Sequence, residues 1–537
     1  MNNHIFWADQ KAEEIISRRK FKYVDKEIPN FEEYTIKTSA SISGVLHIGR
    51  LSDSIRGDSV CKALLERGFK ARLIWVAEDM DPLRKIPEGV PKDYEEYIGM
   101  PVSDIPDPWG CHKSYSEHHI EEYKSVFEEF IHTKPIYYSM STEYRKGKFS
   151  QYIKQYLDNL DGVIEIQSKY REKPLPEGWS PWLPVCKNCG KIITPRIQRY
   201  ENGKVYYRCE DYAFEKHVAK GCGYEGIADP LKDRGKLLWK GEWAAQWARW
   251  RVVAEGAGKE YVVPTSAWWV NAELCEKILD FPMPVPIFYE HLMIDGKKMS
   301  ASLGNVIYPK EWLEVATPQL LRFFYNKKLM KTRSFSWKYL PNLYDEYDRH
   351  ARVYFNLEKI ENERERKHMK RLYEISQLRE IEKPNPLPFS HAVFISQLFL
   401  EEKSLIESLK RTKHYSEENK REIFKRIELA RNWAKKYAPK EMKYSLLEDI
   451  KTIKNRLGEN QKKLLKKLAE WIETRERSSE EIQEKIYNLA REMEMKPKDA
   501  FAAIYLVTLG RTSGPKAGNL LTSLERNWVI RRLKCES

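Results

Sequence analysis

The stretch "SISGVLHIGRLSD", residues 41–53, combines two glycines with a histidine and an arginine where an apolar segment turns into a helix. Gly44 and Gly49 can let a phosphate approach backbone N–H groups closely. His47 and Arg50, in the first helical turn, can donate hydrogen bonds or positive charge to phosphate oxygens as negative charge develops. The chemistry indicated is nucleotide binding, and tight packing of the helix on a strand is the alternative.

A second stretch, "DGKKMSASLGN" at 295–305, places two adjacent lysines beside two small hydroxyl residues. A loop of this composition can close over a triphosphate, with Lys297 or Lys298 supplying charge and with Ser300 and Ser302 supplying hydrogen bonds. On its own the stretch would equally suit an exposed surface turn. The two stretches together favour an ATP site.

Four of the eight cysteines fall between residues 186 and 222 and predict a metal site. Cys186 and Cys189 have the spacing of a zinc knuckle, and Cys209 and Cys222 can complete four tetrahedral thiolates that leave no open position for catalysis. His217 is an alternative fourth ligand, because the second pair of cysteines is widely spaced. The other cysteines are scattered, and we predict that they are inert: Cys61, Cys111, Cys275 and Cys535.

The elements around the first stretch predict the start of an α/β sheet. Residues 34–38 predict a strand that leads into the glycine turn, and a helix follows from about His47 to Arg67, with Gly68 as its C-terminal stop. Residues 71–76 have the length and composition of a second, buried strand. A strand, glycine turn, helix and strand in this order are typical of a nucleotide-binding parallel sheet.

The rest of the chain divides into a long insertion and a helical region. Strand-like runs return at 261–263 and 286–289, so we expect residues 236–310 to complete the sheet after the insertion. From about Pro309 onward, apolar residues recur with helical periodicity and glycines become rare. This pattern predicts an almost entirely helical C-terminal region.

Composition and charge restrict the partners. The formal net charge of +14 is typical of a protein that binds a polyanion such as nucleic acid. Asp9, Glu13 and Glu14 interrupt the apolar pattern near the N-terminus, which argues against a signal or transit peptide, and no apolar run approaches the roughly 18 residues of a membrane helix. We therefore predict a cytoplasmic protein with no membrane association. A monomer is expected, although the sequence does not determine the oligomeric state.

Both nucleotide stretches resemble signatures of one enzyme class. "HIGR" after "SISGVL" is similar to the HIGH signature of class I aminoacyl-tRNA synthetases, and "KKMSASLGN" is similar to their KMSKS loop. Further stretches resemble the archaeal-type class I lysyl-tRNA synthetases: "EDMDPLRKIP" (78–87), "DPWGCHKSYSEHH" (107–119), "YEHLMIDGKKMSASLGNVI" (289–307), "YDEYDRHARVYF" (344–355) and "ARNWAKKYAP" (430–439). The resemblance covers essentially the whole chain.

The resemblance implies an enzyme that ligates lysine to its tRNA through a lysyl-adenylate, using ATP and Mg²⁺ and holding a structural Zn²⁺. The fold class implied is α/β, with a Rossmann-type (HUP-like) parallel-sheet catalytic domain, a zinc-bearing insertion and an all-α C-terminal domain. The expected boundaries are 1–135 and 236–310 for the two halves of the catalytic domain, 136–235 for the connective insertion, 311–385 for a stem-contact helical region, and 386–537 for the anticodon-binding domain.

The same resemblance assigns roles to individual residues. The residues implied in catalysis are His47, Arg50, Lys298, Ser300 and Ser302, and those implied around ATP are Gly44, Gly49, Lys297 and Met299. The amino-acid pocket would consist of Ser39, Ser41, Glu78, Asp79, Trp239, Trp243 and Tyr289. Carboxylates suit that pocket, because a desolvated ε-ammonium needs a charged acceptor.

Several positions depart from the family pattern. Arg50 stands where a histidine or asparagine is usual, Ala301 replaces the middle lysine of the second signature, and Leu303 stands where a lysine is common. Trp268 and Trp269 occupy a stretch that is more polar in the family. Two alternatives to lysine ligation therefore stay open: a paralogue that binds tRNA without charging it, and an enzyme that activates another amino acid or an analogue.

Overall fold

The computed structural model describes residues 5–87, 89–299 and 305–536, so Ser300, Ser302 and two of the departures, Ala301 and Leu303, lie outside the described residues. The chain divides into two compact units. The first contains Met1–Glu311, Leu321–Phe335 and Ile360–Ile381, and the second contains Trp312–Leu320, Ser336–Lys359 and Glu382–Ser537.

All the strands of the described residues belong to the first unit. They are β1 (Tyr34–Ser41), β2 (Ala71–Glu78), β3 (Ile136–Ser139), β4 (Trp182–Pro184), β5 (Pro195–Glu201), β6 (Lys204–Cys209), β7 (Tyr212–Ala213), β8 (Val218–Ala219), β9 (Glu225–Ala228), β10 (Gly235–Leu237), β11 (Val252–Gly258), β12 (Val285–Tyr289), β13 (Leu292–Ile294), β14 (Lys297–Lys298) and β15 (Arg333–Phe335).

The helices of the first unit are α1 (Trp7–Ser17), α2 (Ile48–Leu65), α3 (Tyr115–Phe127), α4 (Met140–Arg145), α5 (Ser150–Asp158), α6 (Leu160–Lys169), α7 (Trp239–Trp250), α8 (Ala267–Lys277) and α12 (Glu363–Ser376). Two helices, α9 (Pro309–Leu313) and α10 (Pro318–Asn326), lie where the chain passes between the units. The helices of the second unit are α11 (Leu340–Tyr354), α13 (Phe389–Leu398), α14 (Glu402–Arg411), α15 (Lys420–Lys436), α16 (Glu459–Glu473), α17 (Ser479–Glu492), α18 (Pro497–Leu509), α19 (Ala517–Ser523) and α20 (Arg526–Leu533).

A five-stranded parallel sheet forms the centre of the first unit, in the order β12–β11–β1–β2–β3. β11 is buried along its whole length and β2 along most of it, as expected for a parallel sheet covered by helices on both faces. The strand order reverses between β1 and β11. In open α/β sheets, the crevice at the carboxyl ends of the strands beside such a reversal is where ligands bind.

Helix α2 lies directly against this sheet, and nearly all of its residues are buried. The close approach requires a glycine, since a Cβ at Gly57 would lie 2.7 Å from the Cγ2 atom of Thr38 on β1. The N-terminus of α2 is thereby fixed at the carboxyl end of β1, where the glycine turn predicted for nucleotide binding begins.

The predicted sheet is confirmed in its first two strands, but the strand predicted at 261–263 is wrong. The strand is β11, and residues 259–261 form a single turn of 3₁₀ helix. The segment "VVAEGAG" has low β-propensity because of its glycines and its glutamate, yet it is buried between β1 and β12. The sheet also extends past residue 135, because β3 pairs with β2 from Ile74–Ile136 to Ala77–Ser139.

The cysteine-rich insertion leaves and rejoins the unit through adjacent strands. β4 and β10 pair antiparallel, with Pro184 opposite Gly235. Between them lie the three-stranded antiparallel sheet β5–β6–β9 and the two-stranded pair β7–β8. The insertion is therefore a small all-β module joined to the unit by a two-stranded ribbon.

The second unit is all-helical within the described residues, as the periodicity predicts. Trp433 on α15 is fully buried and donates its indole N–H to the carbonyl oxygen of Trp337 at 2.8 Å, and Tyr437 stacks on the Trp337 ring at 4.3 Å. Trp433 therefore packs in the core of this unit, whereas Tyr437 is half-buried. In the part of the chain that the structure describes, no helix is long and apolar enough to cross a membrane.

Candidate active site and metal centres

A cavity of about 610 Å³ opens at the carboxyl ends of the parallel strands, beside the reversal of strand order. Four strands of the sheet, the first turns of α2, the helix α7 and the β14 region contribute to it. The predicted residues that line it are Ser39, Ser41, His47, Gly49, Arg50, Glu78, Trp239, Trp243, Tyr289, Lys298 and Met299. Gly44, Asp79 and Lys297 do not line it.

Other residues of the cavity were missed by the sequence analysis. They include Ser52, Asp53, Asp81, Arg84, Glu255, Gly256, Glu260, Tyr261 and His291. Asp53 follows Gly49 and Arg50 at helical spacing on α2, so its position on the same face could have been found. Glu255 could not, because the strand that carries it was not predicted.

His47 is the N-cap of α2, and its ring is held by the turn that it begins. Its Nδ1 atom accepts a hydrogen bond from the backbone N–H of Gly49 at 3.1 Å. Burial and the neighbouring Arg50 lower the pKa of His47 to about 4, so the imidazole is neutral near pH 7. A neutral ring that accepts at Nδ1 carries its proton on Nε2. His47 therefore offers an N–H donor whose protonation state does not change near neutral pH.

Gly49 is required by the same turn. A Cβ at this position would lie 2.7 Å from the His47 ring and 2.9 Å from the Cε atom of Met299. Lys298 and Met299, at and just after the end of β14, approach the cavity from the opposite side. The two signatures predicted to form one nucleotide site therefore meet across the cavity, although Ser300 and Ser302 lie outside the described residues.

A buried ionic network underlies the floor of the cavity. The Lys37 ammonium is 2.6 Å from Glu255, which also accepts hydrogen bonds from the indole N–H groups of Trp243 at 2.9 Å and Trp247 at 2.5 Å. Glu78 accepts from the Gln246 amide at 3.1 Å, and burial raises the pKa of Glu78 to about 8. Glu255 thus fixes the indole of Trp243, one wall of the cavity.

Replacing Lys37 by methionine is expected to lower the free energy of unfolding by about 3–5 kcal/mol, because it leaves the Glu255 carboxylate in the interior without its cation. The double variant Lys37→Met/Glu255→Gln should recover part of this loss, since the amide oxygen of a glutamine can still accept the indole N–H groups. Urea unfolding followed by tryptophan fluorescence measures both. Lys26→Met serves as the control, because the Lys26–Asp280 pair is exposed and should contribute less than about 1 kcal/mol. Strictly additive losses in the double variant would contradict the pairing.

Asp53 has one oxygen that has no partner in the part of the chain that the structure describes. Its Oδ2 atom accepts a hydrogen bond from the Ser39 backbone N–H at 3.3 Å, whereas Oδ1 is buried and has no hydrogen-bond partner among the described residues. Burial, with a smaller effect of Glu255, raises the pKa of Asp53 to about 7. Gly256 makes room for this oxygen, since a Cβ there would lie 1.9 Å from it. A carboxylate in this state can accept a cation that enters the cavity.

Arg56 lies one turn beyond Asp53 on α2 and is also buried. Its guanidinium lies over the rings of Tyr289 at 4.5 Å and Tyr325 at 5.2 Å, and it donates to the Ser52 hydroxyl. The Tyr325 hydroxyl in turn donates to the carbonyl oxygen of Ile48 at 2.9 Å. Arg56 therefore holds Tyr289, a cavity residue, against the helix that carries His47.

Asp79, which the resemblance places in the amino-acid pocket, does not line the cavity. Its carboxylate accepts hydrogen bonds from the Ser139 hydroxyl at 2.6 Å and from the Ser141 backbone N–H at 2.7 Å. It therefore holds the first turn of α4. Asp81 takes a place at the cavity instead, 2.9 Å from the Lys236 ammonium and within 3.3 Å of the Ser41 hydroxyl.

The two tryptophans that left the choice of amino acid open are not cavity residues. Trp268 is fully buried and packs edge-on against Trp243 at 5.1 Å. Trp269 packs beside Phe288 and is covered by the Lys22 ammonium at 3.9 Å. The aromatic wall of the cavity consists instead of Trp239, stacked on Trp243 at 4.7 Å, and of Tyr261, edge-on to Trp243 at 5.1 Å.

The four clustered cysteines converge on one point in the insertion. The sulfur of Cys186 is 3.7 Å from that of Cys222, the sulfur of Cys189 is 3.6 Å from that of Cys209, and all four lie within 4.8 Å of one another. Tetrahedral zinc with Zn–S bonds of about 2.3 Å separates its sulfurs by about 3.8 Å, whereas a disulfide brings them to about 2.05 Å. The set fits zinc, with Cys222 rather than His217 in the fourth position.

A second group that could hold a metal was not predicted. Asp107, Cys111, His112 and His118 offer four ligand atoms within 4.8 Å of one another. The Cys111 sulfur is 3.1 Å from His112 Nδ1 and 3.2 Å from His118 Nδ1, and it is 3.3 Å from Asp107 Oδ2. The prediction that Cys111 is inert stays a prediction, and this arrangement favours a metal ligand instead. The spacing D-x₃-C-H-x₅-H carried the signal, but the stretch was used only for its resemblance to a family.

Comparison with known proteins agrees with this geometry. Residues 5–379 match the family described as tRNA synthetases class I (K), and residues 425–536 match the family described as anticodon binding domain. Among curated proteins, the lysine–tRNA ligase of Methanocaldococcus jannaschii is 34% identical, over 98% of this chain and 99% of that protein. The lysine–tRNA ligases of Pyrococcus horikoshii (32%) and Thermococcus kodakarensis (34%) each match over 99% of this chain and 100% of the relative.

The first family match covers more than half of the chain, and it includes both signatures that meet at the cavity. The cavity lies where the strand order of the sheet reverses, and it is lined by residues of the glycine turn and by the loop lysine, Lys298. The chain belongs to the class I (K) family of tRNA synthetases.

Proposed function

We propose that this chain is an ATP-dependent lysine–tRNA ligase. The observation that carries the proposal is the Oδ1 atom of Asp53, a buried acceptor without a partner among the described residues, at the floor of the cavity that the two nucleotide signatures share. An ε-ammonium group satisfies such an oxygen with a charge-assisted hydrogen bond, which is stronger than one from a neutral donor, and an ionised acidic side chain repels it. The names of the full-length relatives support the same substrate.

The charge at the floor of the cavity supports a substrate with more than one ammonium group. Arg50, Arg84, Lys298 and Glu260 also line the cavity. At its floor or beneath it lie three cations and five carboxylates: Lys37, Arg56 and Lys236, with Asp53, Glu78, Asp81, Glu242 and Glu255. Burial, with a smaller effect of the neighbouring carboxylates, raises the pKa values of Asp53 and Glu78. The α- and ε-ammonium groups of lysine would supply the missing positive charge, while Trp239 and Tyr261 flank its aliphatic chain.

In the proposed reaction, the carboxylate of lysine attacks the α-phosphate of ATP, which enters with its Mg²⁺, and pyrophosphate leaves. The 2′-hydroxyl of the terminal adenosine of tRNA then attacks the acyl group of the lysyl-adenylate, and AMP leaves. His47 donates its Nε2–H to a phosphate oxygen, and Lys298 and Arg50 supply positive charge. Catalysis is then chiefly positioning and stabilisation of charge on the phosphates.

The same proposal gives a function to each of the other predicted parts of the chain. The sheet and the β12–β14 region activate lysine, the insertion holds the acceptor end, and the second unit reads the anticodon. Reducing conditions in the cytoplasm would keep the cysteine clusters as thiolates for zinc. The four cysteines and the Asp107–His118 group would each hold one zinc ion in a structural role, because neither set leaves an open position.

The purified chain is therefore expected to hold two zinc ions, as measured by atomic emission. Cys189→Ser and His118→Ala should each lose one ion, since each removes one of four ligands. Cys275→Ser is the matched control, because this buried cysteine lies outside both clusters and should lose none. A wild-type content of one ion, or a Cys189→Ser variant that keeps both, would contradict the assignment.

The test of the proposed function is ATP–pyrophosphate exchange, run separately with every standard amino acid, with and without total tRNA. Exchange that depends on lysine alone is expected. Exchange with another amino acid would overturn the choice of substrate. If no amino acid supports exchange while the protein still binds tRNA, the catalytic role would be overturned.

A further inference from the structure

Trp109 is the most exposed tryptophan of the described residues, with 45% of its surface open to solvent. Most tryptophans of the first unit are in the core, where their area contributes to folding. The exposed part of the Trp109 ring contributes little to folding. This part of the ring is therefore available to contact a ligand.

The Trp109 ring is held in place before any ligand arrives. One face stacks on the His118 ring at 4.2 Å and 26°, and the edge of His119 meets it at 5.5 Å and 80°. The backbone N–H of Trp109 donates to Asp107 Oδ1 at 3.2 Å. A ring fixed in this way loses little entropy when something stacks on it.

The loop that carries Trp109 is attached to the edge of the cavity. The Tyr115 hydroxyl donates to the carbonyl oxygen of Ser43, in the glycine turn, at 3.3 Å. The backbone N–H of Val102 donates at 3.0 Å to the carbonyl oxygen of Asp81, which lines the cavity, and that of Tyr115 donates at 2.8 Å to Ile105. Trp109 therefore belongs to an ordered rim beside the nucleotide site.

We propose that Trp109 is a stacking platform for an unpaired base at the 3′ end of tRNA. This inference rests on the proposed function, which requires the terminal ribose of a tRNA to reach the cavity. Single-stranded nucleic acid is bound by stacking its bases on exposed aromatic rings, and such stacking tolerates any base. The exposed Lys113 lies four residues from Trp109 and can meet the backbone phosphates of the same strand.

The experiment measures binding of an in vitro transcript of a lysine tRNA, intact or lacking its single-stranded 3′ end, at fixed salt by fluorescence anisotropy. Trp109→Ala should weaken binding of the intact transcript about 5- to 150-fold, the range for loss of one stacked base. It should leave binding of the truncated transcript unchanged. Trp109→Phe should recover most of the affinity, because a phenyl ring can still stack.

Lysine-dependent pyrophosphate exchange without tRNA and zinc content are measured in parallel, and neither should change in Trp109→Ala. Trp269→Ala is the control, since this ring lies outside the cavity and is covered by Lys22. Equal binding of the intact transcript by wild type and Trp109→Ala would overturn the proposal. Equal weakening for both transcripts, or loss of zinc, would assign Trp109 a structural role instead. Because the binding assay does not require any catalytic step, a failure of this proposal can be distinguished from a failure of the proposed function.

Discussion

Asp53→Asn is expected to raise the KM for lysine by about 100-fold or more in ATP–pyrophosphate exchange, with a smaller change in kcat. The variant keeps the shape of the side chain and the acceptor for the Ser39 N–H, but it removes the charge that meets the ε-ammonium. Desolvating an ammonium group without an anionic partner costs about 3–5 kcal/mol. Asp79→Asn is the matched control, because this neighbouring buried carboxylate holds α4 and does not line the cavity.

The pH profile provides a second readout for Asp53. Its pKa of about 7 in the free protein means that the carboxylate is largely protonated at pH 5 and largely ionised at pH 8. Because only the ionised form accepts an ammonium, kcat/KM for lysine should rise about tenfold per pH unit below pH 7 and level off above it. The rise should be absent in Asp53→Asn. An equal KM in Asp79→Asn and Asp53→Asn, or an unchanged profile, would show that another group receives the ammonium.

His47→Ala is expected to lower kcat by about 100- to 1000-fold, the usual cost of removing one preorganised donor from a developing charge, with little change in the KM for lysine. The variant also removes the N-cap of α2, which costs about 1 kcal/mol of stability. His47→Asn separates the two effects, because asparagine is a good N-cap but cannot place an N–H where Nε2 lies. Single-turnover formation of the adenylate measures the chemical step directly.

The pKa of His47, about 4, adds a constraint on that step. Between pH 5 and 9 the ring stays neutral, so the rate of adenylate formation at saturating lysine should show no titration of a group near pH 6.5. A wild-type profile that falls as pH rises through 6.5, and that becomes flat in His47→Asn, would mean that His47 acts in its charged form. Recovery of the full rate in His47→Asn would reduce its role to capping the helix.

The site residues that could be predicted are those in short turns that contain both glycines and side chains able to contact a nucleotide. His47, Gly49 and Lys298 sit in turns whose glycines and lysines are visible in the sequence, and the structure places all three at the cavity. The face of α2 on which Asp53 lies could be predicted from its spacing to Gly49 and Arg50, but its burial could not, because an acidic residue in a helix is usually solvated and its burial depends on what packs against it. Its environment depends on Ser39 and Gly256, which arrive from other strands.

The errors in the fold have a related cause. β11 was missed because its glycines and Glu255 give it low β-propensity. The same residues shape the cavity, since Gly256 leaves room for the Asp53 carboxylate and the buried Glu255 accepts the indole N–H of Trp243. β3 was assigned to the insertion because only four residues form it, too few for a periodic pattern. Local sequence is least informative where residues are chosen for the ligand rather than for the strand.

The ribbon of β4 and β10 has a consequence for the ancestry of the chain. Because Pro184 and Gly235 face each other across one antiparallel register, residues 185–234 depart from and return to the same place, as the loop of a hairpin does. A shorter turn there would leave the connectivity of the parallel sheet intact. A module with such neighbouring ends can be acquired, exchanged or lost in a single genetic event, so the insertion and the catalytic sheet are free to have separate histories.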